Sequence, residues 1–161
     1  MPPAPVALDL ATDVVTLTAA VCDVVSVSRD EKVLADAIEA ALAPLTHLHV
    51  TRLGHTLIAR TDLGRDERVV LAGHIDTVPV TVDPANVPTR RVVNADGEVL
   101  WGRGTVDMKG GVAVMLRLAQ ELASPNRDLT FVFYEAEEID SQYNGLRHVQ
   151  LNHPDLIDDA V

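Results

Sequence analysis

Two short runs rich in Val and Phe, Arg68–Ala72 and Leu129–Tyr134, bracket a segment of helical period, and this arrangement limits the fold most. Such runs are too short for buried helices and suit central strands covered on both faces. Between them, Met108–Ala123 places Val112, Met115, Ala119 and Leu122 on one face. Arg117, Gln120, Glu121 and Ser124 fall on the other, and Pro125 bars continuation. Two earlier helices are predicted, one from Val14, Leu17, Val21 and Val24, the other from Leu34, Ile38, Leu42 and Leu45, with Pro44 helping to end the second. His47–Leu53 alternates polar and apolar, and Thr56–Arg60 follows after Gly54, which predicts a strand pair. A turn at Asn94–Gly97 separates Arg91–Val93 from Glu98–Trp101. Strands alternating with helices predict an α/β fold with a central, mostly parallel sheet flanked by helices. Residues 1–10 are Pro-rich and expected to be loose; residues 11–161 are expected to form one unit.

Charge narrows the function. Thirteen basic residues against 24 acidic ones give a net charge of −11, which disfavours nucleic acid and anionic membranes as partners, since both need a basic footprint. No apolar run approaches the ~20 residues that span a bilayer. No Lys or Arg precedes Arg29, so the charged start of a secretory signal is missing. Cys22 is the only cysteine and sits in an apolar helical stretch, which predicts buried filler and no internal disulfide. A cytoplasmic protein is expected.

Three motifs carry candidate chemistry, and they lie just past proposed strands or in the loops after them, where open α/β sheets place their sites. His74 ends the first apolar run, with Asp76 two residues on. A ligating imidazole usually has its second ring nitrogen held by a carboxylate or carbonyl, and Asp76 suits that task. A core histidine beside a turn aspartate is the alternative. Asp107 follows Gly102 and Gly104 and precedes the helix beginning near Met108. Its two oxygens could bridge two ions, and a helix start favours negative charge; an ordinary N-cap aspartate is the alternative. The stretch lacks the Gly-Lys-Ser/Thr of a phosphate loop. Glu137 and Glu138 follow the most apolar strand, a costly place for adjacent carboxylates unless a cation balances them. One could ligate while the other acts as general base; a solvated acidic loop with Glu135 and Asp140 is the alternative. His47, His49, His55, His148 and His153 read as surface or packing residues.

In combination these motifs, His-x-Asp, Gly-Arg-Gly-x-x-Asp-Met-Lys-Gly and Glu-Glu, resemble the dinuclear-zinc amidohydrolase family. That family includes succinyl-diaminopimelate desuccinylases, acetylornithine deacetylases, aminoacylases and carboxypeptidases. The resemblance runs from about residue 10 to the end of the chain. It implies two zinc (or cobalt) ions, with His74 on one, Asp107 bridging and Glu138 on the second. It further implies Glu137 as general base and Asp76 as a supporting carboxylate. Metal-assisted hydrolysis of a small N-acyl amino acid is the implied reaction. Phe133–Asp140, followed by Asn144-Gly-Leu146 and His153-Pro-Asp155, is most similar to actinobacterial desuccinylases. Val25-Ser-Val-Ser28-Arg29 departs from the usual Pro-Ser-x-Ser-Gly, and His55 stands where many relatives have Asn. Members of the family add further ligands and a lid and dimerisation domain, through which intact relatives form homodimers. Those parts are not matched within 161 residues, so little or no turnover is expected of this chain alone.

Overall fold

The computed structural model describes residues 6–95 and 97–157. Helix α1 (Val14–Asp23) starts at Asp13, whose carboxylate accepts hydrogen bonds from the Val15 and Thr16 amides, each 3.0 Å. Helix α2 (Lys32–Leu42) stops just short of Pro44, which has no amide hydrogen to carry the ladder on, although Ala43 itself keeps helical geometry (φ −54°, ψ −35°). Strands β1 (His49–Leu53) and β2 (Thr56–Arg60) form an antiparallel hairpin. Strand β3 (Arg68–His74) runs into the first motif. Strands β4 (Arg90–Asn94) and β5 (Gly97–Trp101) make a separate two-stranded sheet, in which Arg90 lies over the Trp101 ring. Helix α3 (Lys109–Glu121), strand β6 (Asp128–Tyr134) and helix α4 (Gly145–Asn152) complete the order.

The main sheet has the order β1-β2-β6-β3. Helices α1, α2 and α3 share a core with Leu57, Ala59, Leu129, Phe131 and Phe133 on one face of the sheet. The alternate residues Ile58 and Val132 meet Val149 of α4 on the other. The α/β class with flanking helices is what the chain adopts.

The expectation of a mostly parallel sheet is corrected. Strand β6 is parallel to β3, but β2 is antiparallel to both β6 and β1. The physical reason is connection length. A helix-containing crossover, here through α3, permits β3 and β6 to be parallel, whereas the tight turn at Gly54-His55 forces β1 and β2 antiparallel. No such turn joins β2 to β6, whose antiparallel pairing comes from the fold as a whole. Strand β6 is the buried central strand that its composition predicted, but β3 lies at an edge and is only partly buried along Val69–Leu71. An apolar run reports how well its faces are covered and carries no information on whether both edges are paired. The loose N-terminal segment also needs revision. Leu8 and Leu10 are buried in the core, and the Arg117 guanidinium donates to the Leu10 and Thr12 carbonyls. Residues 1–5 lie outside the described residues. Among the described residues, no helix is long and apolar enough to cross a membrane.

Candidate metal centre

The parallel pairing of β3 with β6 aligns His74 with Tyr134, so both strands deliver their motifs at the same end of the sheet. Close packing of α3 helps to set that end. A Cβ on Gly73 would lie 2.9 Å from the Met115 sulfur, so the helix can approach because the residue before His74 has no side chain. Lys109, in the first turn of α3, is fully buried, and its ammonium donates to the Val24 carbonyl at 2.7 Å. Burial pushes its pKa down to about 8.

His74 is 4% exposed, and its two ring nitrogens are occupied differently. Nδ1 lies 3.0 Å from the Asp76 carbonyl oxygen, and Nε2 lies 3.0 Å from Asp107 Oδ1. Asp107 does not cap α3: the cap residue is Met108, without a side-chain bond, and the Asp107–Met108 peptide is cis. The Asp107 carboxylate instead reaches His74, with its side chain 75% exposed. Glu138 completes the group, and ligand atoms of His74, Asp107 and Glu138 all lie within 4.8 Å of one another.

Asp76 is fully buried beneath this group. Its Oδ1 accepts from the Glu137 amide at 3.0 Å, and its Oδ2 from the Glu138 amide at 3.1 Å and the Ser28 hydroxyl at 2.7 Å. The Asp76 carboxylate is also 3.4 Å from His74 Nδ1. One side chain thus ties the imidazole to the Glu-Glu turn. The Ser26–Ser28 segment supports it from below, through Ser26 Oγ to the Ile75 carbonyl and reciprocal backbone bonds with Thr77.

Electrostatics follow from this geometry. Burial opposes charge on His74, but bonds to the Asp76 and Asp107 carboxylates outweigh it and raise its pKa to about 9. Burial likewise opposes ionisation of Asp76. The bonds from His74, Ser28 and the two peptides prevail and hold it at about 2. Glu138 is raised, first by burial and next by the charge of Asp107. Two carboxylates repel one another beside an imidazole that is drawn toward its charged form. One imidazole and two carboxylates of this kind form a donor set suited to a divalent ion such as zinc or cobalt, which would relieve that repulsion.

The other histidines divide. His47 Nε2 bonds the Ala119 carbonyl and His49 is exposed. The His148 and His153 rings lie 5.8 Å apart around α4. His55, expected to be a surface or packing residue, is part-buried and holds specific partners. Its Nδ1 lies between Glu31 and Glu135, and these three form a second group with ligand atoms within 4.8 Å. A cleft of about 520 Å³ is lined by His55, Glu135 and Ala136 rather than by His74, Asp107 or Glu138. Cys22 is buried, and burial pushes its thiol up to about 11, which suits packing and not nucleophilic chemistry. Sequence reasoning missed Glu31, Lys109 and the support from Ser28. Only the unusual Val25–Arg29 segment hinted at the last.

Comparison with known proteins places this geometry. The sequence pattern of peptidase family M20/M25/M40 matches residues 70–156. A Mycobacterium tuberculosis protein bearing the name succinyl-diaminopimelate desuccinylase is 50% identical over 151 residues, covering 93% of this chain and 41% of its own length. The succinyl-diaminopimelate desuccinylase of Corynebacterium glutamicum is 42% identical over 155 residues, covering 93% and 40%. The chain therefore spans about two fifths of the length of these relatives. A dinuclear metal-binding M20 peptidase from Bacillus subtilis shares the fold, with a TM-score of 0.59 at 15% identity over 91% of this chain and 40% of that one. With the family pattern covering more than half of the residues, including β6 and the Glu137–Glu138 turn, the chain belongs to peptidase family M20/M25/M40.

Proposed function

We propose that this chain is the N-terminal portion of a metallohydrolase catalytic domain, residues 11–161, that acts on N-succinyl-diaminopimelate to give diaminopimelate and succinate. One observation carries the reading. His74, Asp107 and Glu138 converge within 4.8 Å, directly above a buried Asp76 that also holds the amides of Glu137 and Glu138. The choice of a succinyl substrate is supported by the 50% and 42% identities to proteins of that name.

In this reading His74, Asp107 and Glu138 are ligands to two divalent ions, zinc or cobalt, with Asp107 shared. When bound, such ions supply Lewis-acid polarisation of the amide carbonyl and lower the pKa of a water. Glu137, exposed beside the group, accepts a proton from the attacking water and passes it to the departing amine. Asp76 keeps the His74 ring in one orientation and fixes the direction in which the two Glu side chains leave the turn. Three ligand groups do not complete the shells of two ions, so the 161 residues alone hold metal weakly and turn over little. The substrate is a small molecule in the cytoplasm, neither nucleic acid nor membrane serves as partner, and complete relatives pair as homodimers outside this segment.

The test is a chimera in which this sequence replaces the matching segment of the Corynebacterium glutamicum relative. It is expected to hydrolyse N-succinyl-diaminopimelate in preference to N-acetylornithine. A preference for the acetyl substrate would move the protein to another N-acyl amino-acid hydrolase. A chimera that folds, binds zinc and cleaves neither would overturn the reading.

A further inference from the structure

We infer that Glu31 is a positioning residue for the Glu137–Glu138 turn, with His55 as its hydrogen-bonded counterpart. The inference rests on the reading of Glu138 as a metal ligand. Glu31 immediately precedes α2 and is fully buried. A buried carboxylate is costly unless its oxygens are met by donors, and here each one is. Oε1 accepts from the Arg29 amide at 2.8 Å and the Ala136 amide at 3.2 Å; Oε2 faces His55 Nδ1 at 3.1 Å.

Ala136 is the residue just before Glu137, and its φ of +57° lies in the left-handed region. An alanine holds that conformation only when its surroundings impose it. The imposing contacts are consecutive. The Ala136 amide is gripped by Glu31, and the Glu137 and Glu138 amides are gripped by Asp76. Two fully buried carboxylates therefore bind three successive peptide N–H groups. The turn is held by its backbone, which leaves the side chains of Glu137 and Glu138 free for chemistry.

His55 closes the arrangement. Its Nδ1 lies 3.1 Å from a Glu31 oxygen and 3.3 Å from Glu135 Oε2. The other Glu135 oxygen accepts from the His55 amide at 3.0 Å. The β1–β2 turn is thereby latched to the start of the Glu-Glu turn. Gly54 suits this turn because its φ of +63° lies in the left-handed region, and a Cβ there would also press on Glu135 Oε1 at 2.6 Å. Glu31 has a donor at both oxygens and Glu135 has the His55 amide at one, with its other oxygen facing His55 Nδ1; these bonds fit a supporting role.

The experiment is a cobalt(II) titration of the purified 161-residue chain, read by visible absorption, beside amide hydrogen exchange of the metal-free chain. Groups hydrogen-bonded to a metal ligand typically change affinity about 10- to 100-fold, and Glu31, acting one step further out through the Ala136 amide, is expected at or below the lower end of that range. Glu31→Gln is expected to weaken cobalt binding about 10-fold and to alter the absorption envelope at saturation. It is also expected to speed exchange at Ala136–Glu138 while α3 stays protected. Should Glu31→Gln fail to fold, His55→Asn leaves the carboxylate in place and is expected to shift affinity about threefold in the same direction. Wild-type affinity, envelope and exchange in a folded Glu31→Gln or His55→Asn variant would overturn the inference. His74→Ala is the control for the underlying reading. If wild type and His74→Ala bind cobalt equally, the metal centre is wrong and the inference falls with it; if neither binds, the exchange readout decides, and wild-type exchange at Ala136–Glu138 in Glu31→Gln overturns the inference.

Discussion

The His74–Asp107–Glu138 group and the Glu31–His55–Glu135 group use the same chemistry, one imidazole and two carboxylates with ligand atoms within 4.8 Å. They differ in where the remaining oxygens go. In the second group the backbone occupies one oxygen of each carboxylate, through Arg29, Ala136 and His55, and the buried Glu31 has a donor at both. In the first, the Asp107 side chain is 75% exposed, and among the described residues His74 alone bonds its carboxylate. Glu138 is raised by burial and by the charge of Asp107. A set of ligand-type residues is thus a candidate for metal where the protein leaves the charges unbalanced. Where backbone donors fill the oxygens, the same residues act as structural support.

The contrast can be broken most severely at the reaction itself. In the chimera, Glu137→Gln is expected to lower turnover on the order of 1,000-fold with zinc content unchanged; loss of zinc would reassign Glu137 as a ligand. Next in size is metal affinity. Glu138→Ala should weaken binding at least about 100-fold, whereas Glu135→Ala should change it less than about tenfold, as judged by equilibrium dialysis. Equal losses would erase the distinction between the groups.

Stability should show the reverse order. Glu31→Ala leaves the Arg29 amide and the buried Ala136 amide without acceptors and is expected to cost about 2–3 kcal/mol in denaturant unfolding. Glu138→Ala removes a repulsive charge and should stay within about 0.5 kcal/mol of wild type. pH dependence sharpens the picture further. The folded pKa of His74, about 9, lies above its ordinary 6.5. Its contribution to the metal-free chain is therefore complete below about 6.5 and lost as pH rises toward 9. Asp76, held at about 2 against an ordinary 3.8, contributes fully above 3.8 and loses its effect as pH falls toward 2. Stability measured from pH 6 to 10 should decline across the first window in wild type and remain flatter in His74→Gln. The smallest effect is expected from Ser28→Ala, which removes one of the donors to Asp76 and should cost about 1 kcal/mol. A loss above about 3 kcal/mol would show that the Ser26–Ser28 segment carries more of the fold than its bonds suggest.

Much of the fold was legible locally. The apolar faces of α1, α2 and α3 and the Gly54 hairpin appear where periodicity and turn chemistry put them. His74, Asp107 and Glu138 could be proposed from the sequence because three ligand-bearing motifs coincide, although each taken alone has an ordinary alternative. Strand order was not legible, since a Val-rich run looks alike at the centre and at the edge of a sheet. Neither was the task of His55, which as one histidine beside a glycine gives no sign of the carboxylates that will meet it.

By itself, then, the sequence determined most of the elements and the ligand-type groups, because side-chain period is a property of short segments. Tertiary structure alone decided which group is left open and which is closed. Asp107 meets His74 across 33 residues and Ala136 meets Glu31 across 105. The balance of donors around a buried carboxylate exists only once packing has brought such distant segments together.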